Sequence, residues 1–224
     1  MASVEHAVDR GASRRFWIGL ALIVALALAL RLYRLGAQSL WNDEGTSVAL
    51  ALRDLATITR DASHDIHPPL YYYMLHYWIR LLGTSETAVR GLSVLAGVGI
   101  VLATGLYARR QRHDPAALVA ALLASVSAFQ VYYAQETRMY AWVTLWGLLS
   151  MLALRGLLTA LRTGRRRLLY AVLYAAPTLA ALYSHYIAVT LVLAHNVAFV
   201  LLMLLDARGS GSLRSAWRMS RDAL

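Results

Sequence analysis

Two adjacent carboxylates, Asp43 and Glu44, occur in the stretch LWNDEGTSVALALRDL, which covers residues 40–55. The stretch follows the first long apolar run, and TSVALALRDL is typical of a helix that starts near Glu44. A carboxylate at a helix N-terminus is stabilised as the anion by the helix dipole and the free N–H groups. Asp43 would then be available to accept a proton or to bind a cation. The alternative is that Asn42 or Asp43 only caps the helix.

Two further motifs carry groups suited to the same chemistry. HDIHPPLYYYMLHYW contains His67 and Tyr72, and YYAQETRMYAWVTL contains Glu136 and Arg138. Arg138 suits bidentate binding of a phosphate, with Glu136 orienting it, and the alternative is an ion pair between two helix ends. His67 suits a hydrogen bond to a phosphate, or is simply the first residue of a helix. The tyrosines around Tyr72 suit stacking on a sugar or an interfacial aromatic belt.

A metal site is a second interpretation of the histidines. His64 and His67 stand three residues apart with Asp65 between them, a spacing that a divalent metal tolerates. Two histidines in a loop are more often solvated, so the sequence requires no cofactor and leaves a divalent metal open. The chain has no cysteine, which excludes disulfides and thiolate metal sites.

The composition indicates an integral membrane protein. Of the 224 residues, 59% are hydrophobic and 15% are charged, whereas soluble domains are about a quarter charged. Residues 168–205 carry no charge, and as one helix they would be about 57 Å long against a ~30 Å hydrocarbon core. They therefore predict two helices with a turn near His185. The predicted transmembrane helices of this single membrane domain, 1–224, are 16–35, 91–108, 115–134, 139–161, 168–184 and 187–205.

The arginines predict the orientation of these six helices. All 22 basic residues are arginine and the net charge is +10. With the N-terminus in the cytoplasm, 15 arginines fall in cytoplasmic segments and seven fall outside, as the positive-inside rule requires. Arg31 and Arg34 would extend from the first helix to the membrane interface. The distribution of the arginines therefore indicates the membrane orientation of the chain and not nucleic-acid binding. The chain is predicted to be a multi-pass plasma-membrane protein with both termini in the cytoplasm.

The first outer loop, residues 36–86, is long enough to have its own structure. One helix is predicted near Glu44. A second follows Pro68 and Pro69, which suit a first helical turn, and ends at Gly83. Its ~13 residues are too few to cross a membrane and suit the interface. The predicted fold is all-α, with about six transmembrane helices and interfacial helices in the first outer loop.

Taken in order, LWNDEGTSVALA, HDIHPPLYYYMLHYW and YYAQETRMYAWVTL resemble the GT-C membrane glycosyltransferases. The most similar group is the protein-O-mannosyltransferase-like one, comprising glycosyltransferase family 39 and its aminoarabinose-transferase relatives. The resemblance spans residues 16 to 205 and corresponds to the N-terminal part of longer enzymes. Three explanations of that difference in length are open: the chain is a fragment of a longer enzyme, the product of a split gene, or a reduced form of the enzyme.

This resemblance implies a polyprenyl-phosphate-linked sugar donor that is used at the extracytoplasmic face. The acid of the family's first outer loop, which is catalytic or orients the acceptor, matches Asp43, with Glu44 beside it. The acid–arginine pair of the second outer loop matches Glu136 and Arg138. The histidine of the HPPLYY motif matches His67.

The predicted function is transfer of a sugar from this donor to a hydroxyl of a protein, lipid or glycan acceptor. A transporter or lipid flippase and a non-catalytic assembly subunit are the alternatives. Transporters tend to carry ionisable residues or broken helices near the bilayer midplane, and no charged residue lies near the middle of the predicted helices. A long structured outer loop with paired acids favours an enzyme.

The predicted orientation is testable because the chain contains no cysteine. A cysteine introduced at Ser63, in the first outer loop, should react with a membrane-impermeant maleimide in intact cells. A cysteine at Arg165, in a predicted cytoplasmic segment, should react only after permeabilisation. The opposite pattern at the two positions would overturn the orientation.

Overall fold

The structure, a computed structural model, describes residues 2–63, 67–111 and 113–209, and all regular structure in these ranges is helical. The α-helices are α1 (Ala2–Leu32), α2 (Asn42–Ala51), α3 (Leu55–Ala62), α4 (Leu70–Leu82), α5 (Glu86–Gln111), α6 (Asp114–Val126), α7 (Ala128–Ala134), α8 (Tyr140–Thr163), α9 (Arg167–Ser184) and α10 (Val189–Gly209). The predicted all-α membrane fold is confirmed. A 3₁₀ turn, Tyr186–Ala188, separates α9 from α10, and the predicted break near His185 lies beside it.

Three helices are long and apolar enough to cross a membrane by length and composition, within α1, α5 and α8. The α6–α7 pair is a fourth if it counts as one span. Helices α9 and α10 occupy the fifth and sixth predicted spans, and their status as spans stays a prediction. The chain is therefore a multi-pass membrane protein with three to four candidate spans among the described residues.

The third predicted span, 115–134, is not one straight helix. Helices α6 and α7 meet at an angle of 57°. Ser127 between them has an extended backbone, and its side chain accepts a hydrogen bond from the N–H of Gln130 to cap α7. This serine ends one helix and begins the next, because Ser side chains favour N-cap positions.

Arg31 explains how the break is tolerated in an apolar environment. The prediction that this arginine extends to the interface is wrong, because it is fully buried. Its guanidinium donates to the carbonyl oxygens of Ser125 at 3.2 Å and of Ala124 at 3.4 Å. Both carbonyls belong to the last turn of α6, where intrahelical partners are lacking. Gly97 on α5 makes room, since a Cβ there would lie 2.7 Å from Arg31 Nε.

The described part of residues 36–86, the predicted first outer loop, forms a compact helical layer. Three helices, α2, α3 and α4, occupy it where two were predicted, because Asp54 caps the additional helix α3 through the N–H of Thr57. Helix α4 follows Pro69 and ends at Gly83, whose φ of +84° suits glycine, as predicted. Buried residues join this layer to α5 and to the start of α8: Val48, Ala51, Ile58, Tyr71, Tyr72, Leu75, Ile79, Val89, Leu92 and Met139.

Replacement of Arg31 by Met should lower stability, because the buried carbonyl of Ser125 and the partly buried carbonyl of Ala124 would both lose their side-chain donor. Each unsatisfied buried group costs about 1–3 kcal/mol, so a loss of at least about 2 kcal/mol is expected. Thermal unfolding in detergent measures it. Arg34→Met, at an exposed arginine, is the matched control and should unfold near the parent temperature. Equal melting temperatures for the two variants would contradict this role of Arg31.

Candidate active site

Glu44 and Arg90 form a buried ion pair that joins α2 to α5. Arg90 Nη2 lies 2.7 Å from Glu44 Oε2 and Arg90 Nε lies 2.9 Å from Oε1, so the contact is bidentate. The exposed fractions of the two side chains are 7% and 1%. Arg90 also donates to the carbonyl oxygens of Leu35, Gln38 and Ser39, and thereby fixes the chain between α1 and α2.

Glu44 also holds the segment between α7 and α8, residues 135–139. Its carboxylate accepts from the N–H of Thr137 at 2.8 Å and from the N–H of Trp41 at 3.3 Å. Burial by itself would raise the pKa of Glu44, but hydrogen bonds from Arg90 and Thr137 outweigh it and lower the pKa. Every contact of the carboxylate is thus structural, which favours a positioning role over the catalytic role expected of it.

Asp43 differs from its neighbour in exposure and in contacts. Helix α2 begins at Asn42 with Trp41 as N-cap residue, so the expected cap at Asn42 or Asp43 is not formed. The Asp43 side chain is 42% exposed, and its Oδ2 lies 3.7 Å from Arg138 Nη2. The structure therefore brings together an accessible carboxylate and a guanidinium that lie 95 residues apart in sequence.

Arg138 is held in place by contacts from three elements. Its Nη1 donates to Ser47 Oγ at 3.2 Å and to the carbonyl oxygen of Asp43 at 3.3 Å. Ser93 Oγ on α5 donates to the Arg138 carbonyl at 3.2 Å, and the guanidinium lies 5.7 Å from the ring centre of Tyr140. The side chain is only 7% exposed. Its orientation is therefore fixed before any ligand binds.

Glu136 does not have the expected partner. Among the described contacts it makes no ion pair with Arg138, which faces Asp43 instead. Burial raises the pKa of Glu136, and a hydrogen bond with the Tyr132 hydroxyl opposes that effect. Glu136 and Glu44 line a cavity of about 530 Å³ whose lining does not include Asp43 or Arg138. That volume falls within the range of small-molecule sites.

A histidine pair flanks Arg138 on the side of α4 and α9. The rings of His67 and His185 are 5.1 Å apart and perpendicular, and His185 lies 5.9 Å from the ring of Tyr140. Burial, together with the nearby His67 and Arg138, lowers the pKa of His185. His67 therefore lies beside His185, in the turn that the sequence predicts between the last two helices, and its role at the donor phosphate stays a prediction.

The tyrosines at the start of α4 are core residues. Tyr71 is fully buried and Tyr72 is 2% exposed, so neither ring is presented for stacking or for an interfacial belt. Tyr72 is within electrostatic reach of Arg138. Tyr77, at 54% exposure, fits the belt. The tyrosines differ in exposure because one face of α4 packs against the protein and the opposite face does not.

The described residues contain no cluster of three or more histidine and acidic side chains that would hold a metal. His64 and Asp65, from which a metal site was also considered, lie outside the described residues. Sequence reasoning missed Arg90, which it counted only as an outer-face arginine. No local signal could have revealed it, because its partner Glu44 lies 46 residues earlier.

Replacement of Glu44 by Ala should destabilise the protein by about 3–5 kcal/mol, because Arg90 would remain buried without its partner. Asp61→Ala, at the exposed pair with Arg53, should cost no more than about 1 kcal/mol. Denaturation in detergent compares the two variants. Similar losses would mean that the Glu44–Arg90 pair has no special structural role.

The lowered pKa of Glu44 also predicts a dependence on pH. On acidification the unfolded chain protonates this carboxyl group first, near its ordinary pKa of about 4.3. Stability from Glu44 is therefore present above that pH and lost as the pH falls through the lower folded value. The parent should lose more stability in acid than Glu44→Ala does.

Comparison with known proteins places the chain in a family. A family model described as dolichyl-phosphate-mannose-protein mannosyltransferase matches residues 66–219, which include His67, Glu136 and Arg138 but not Asp43. No curated protein and no solved structure gives a significant match. The match covers more than half of the chain. The chain therefore belongs to the dolichyl-phosphate-mannose-protein mannosyltransferase family of GT-C membrane glycosyltransferases.

Proposed function

We propose that this protein transfers a sugar from a polyprenyl-phosphate donor to an acceptor hydroxyl at the extracytoplasmic membrane face. The observation that carries the proposal is the contact between accessible Asp43 and buried Arg138. A base for the acceptor and a cation for the departing phosphate are the two groups that this reaction needs. Both lie at the end of the helices where the first outer loop packs.

Asp43 is proposed as the general base. As the acceptor oxygen attacks the anomeric carbon of the sugar, its proton passes to a carboxylate oxygen of Asp43. The half-exposed side chain is open to an acceptor, unlike that of Glu44. Ser47 Oγ and Arg138 Nη1 donate hydrogen bonds to the Asp43 backbone carbonyl and hold the Asp43 backbone in position beside Arg138.

Arg138 is proposed to bind the phosphate of the donor. When the bond between the anomeric carbon and the phosphate oxygen breaks, its electron pair remains on that oxygen and the polyprenyl phosphate leaves as an anion. A planar guanidinium stabilises such charge by paired hydrogen bonds. The 3.7 Å separation of Nη2 from Asp43 is too long for a hydrogen bond, so Nη2 retains donor capacity for a phosphate oxygen.

The surrounding residues are proposed to position these two groups and the substrates. Glu44 fixes the first turn of α2 against Arg90 and the second outer loop. His67 is proposed to hydrogen-bond the donor phosphate, with Tyr72 supporting Arg138 from the core. Glu136 is assigned to the neighbouring cavity, where burial raises the pKa of its carboxyl group and where that group is placed to hydrogen-bond a sugar hydroxyl.

Replacement of Asp43 by Asn should abolish turnover and leave the fold intact, because the side chain keeps its shape and makes no cap bond. Loss of a general base costs about 100- to 10,000-fold in rate. Membranes supplied with polyprenyl-phosphate mannose would be assayed for mannosyl transfer. Asp61→Asn, in the same outer layer, is the matched control and should retain the parent rate. Near-normal turnover by Asp43→Asn would remove the proposed base.

Replacement of Arg138 by Lys should impair use of the donor, because lysine keeps the charge but loses the planar fork that binds phosphate. The expected result is a higher KM for polyprenyl-phosphate mannose, with a decrease in kcat if the fork also stabilises the leaving phosphate. Arg80→Lys, at an exposed position of α4, is the control. Parent-like kinetics in Arg138→Lys would show that this guanidinium does not bind the donor.

A further inference from the structure

A second cavity lies at the opposite ends of the helices from Asp43 and Arg138. It has a volume of about 470 Å³ and is formed by α5, α8, α9 and the turn between α8 and α9. Helix α8 starts at Tyr140, beside Arg138, and ends at Thr163 in the cavity wall. At 1.5 Å per residue that separation is about 35 Å, so the two sites lie near opposite membrane surfaces.

The charge in this cavity has one sign. Four arginines line it, Arg110, Arg155, Arg165 and Arg166, and its lining contains no aspartate or glutamate. All four are exposed, and among the described side chains none has an acidic partner. Arg109, in contrast, is paired with Asp114 at 3.0 Å. Four unpaired cations around one cavity repel each other, and a bound anion would relieve that repulsion.

Two of these arginines, Arg165 and Arg166, belong to a turn with an unusual backbone conformation. Gly164 and Arg166, in the turn between α8 and α9, both have left-handed backbone conformations, with φ of +72° and +56°. Such a conformation is uncommon for a residue other than glycine. It reverses the chain between α8 and α9, and Arg165 and Arg166 line the cavity together with Arg155 on α8 and Arg110 on α5.

The remainder of the wall combines hydroxyl groups and apolar side chains. Tyr107, Thr159, Thr163 and Tyr170 contribute hydroxyls, and Leu152 and Ala160 contribute apolar surface. The ring of Tyr170 packs directly against Gly156, where any Cβ would overlap it. Gly156 therefore lets α8 pack closely against α9 at the cavity wall.

We propose that this cavity binds a phosphate group, supplied either by the headgroup of an anionic phospholipid or by free phosphate. Arginine forks match phosphate oxygens in pairs. Basic pockets between transmembrane helices bind anionic headgroups, and each basic residue near the membrane surface contributes about a five-fold gain in affinity. The proposal does not depend on the glycosyl-transfer reaction, because the cavity is separate from the Asp43–Arg138 site.

The test is native mass spectrometry of the full chain in detergent during titration with phosphatidylglycerol or phosphatidylcholine. The parent should bind phosphatidylglycerol more tightly, and Arg155→Gln should weaken that binding about five-fold. Arg155→Lys, which keeps the charge, should recover part of it. Arg80→Gln removes one exposed charge from the other side and is the matched control. It should bind both lipids as the parent does.

A second measurement separates the two sources of phosphate. Millimolar inorganic phosphate, compared with chloride at equal ionic strength, should raise the melting temperature of the parent more than that of Arg155→Gln if free phosphate is the ligand. Preference for phosphatidylglycerol without this shift identifies a lipid headgroup. The proposal is overturned if Arg155→Gln and Arg80→Gln respond alike to both probes, with melting temperatures equal to that of the parent.

Discussion

The buried ion pair between Glu44 and Arg90 is the interaction on which the arrangement of Asp43 and Arg138 depends. It connects the first turn of α2 to α5 and, through the N–H of Thr137, to the segment between α7 and α8. These segments carry Asp43 and Arg138. A buried pair is expensive to desolvate and is stabilising only when its remaining hydrogen-bonding capacity is filled. Arg90 meets that condition with three backbone carbonyls.

The two adjacent acids have different environments because successive residues of a helix point about 100° apart. That rotation directs Glu44 into the protein and leaves Asp43 half-exposed beside Arg138. A rigid inner acid and an accessible outer acid suit a site in which geometry is fixed before substrates arrive. Preorganised electrostatic groups supply a large part of transition-state stabilisation in many enzymes.

Arginine has three different structural uses along the chain. Arg31 is buried and satisfies the carbonyls at the end of α6, which lets the α6–α7 pair bend without exposing its backbone. Arg138 is held rigidly beside the proposed base. At the opposite helix ends, Arg155 and its neighbours remain unpaired around a cavity. The surroundings of each arginine thus decide its role: hydrogen bonding to backbone carbonyls, the proposed reaction, or the proposed anion site.

The sequence by itself determined the membrane class and the helical content, and it predicted most helix positions and the grouping of Asp43, His67, Glu136 and Arg138 at one end of the helices. These properties follow from apolar run length, turn residues and charge placement, which are local. Only the tertiary structure decided that Glu44 pairs with Arg90, that Arg138 faces Asp43 instead of Glu136, and that Arg31 is buried. Each depends on side chains far apart in sequence, and local patterns contain no information about which distant partner a buried charge will meet.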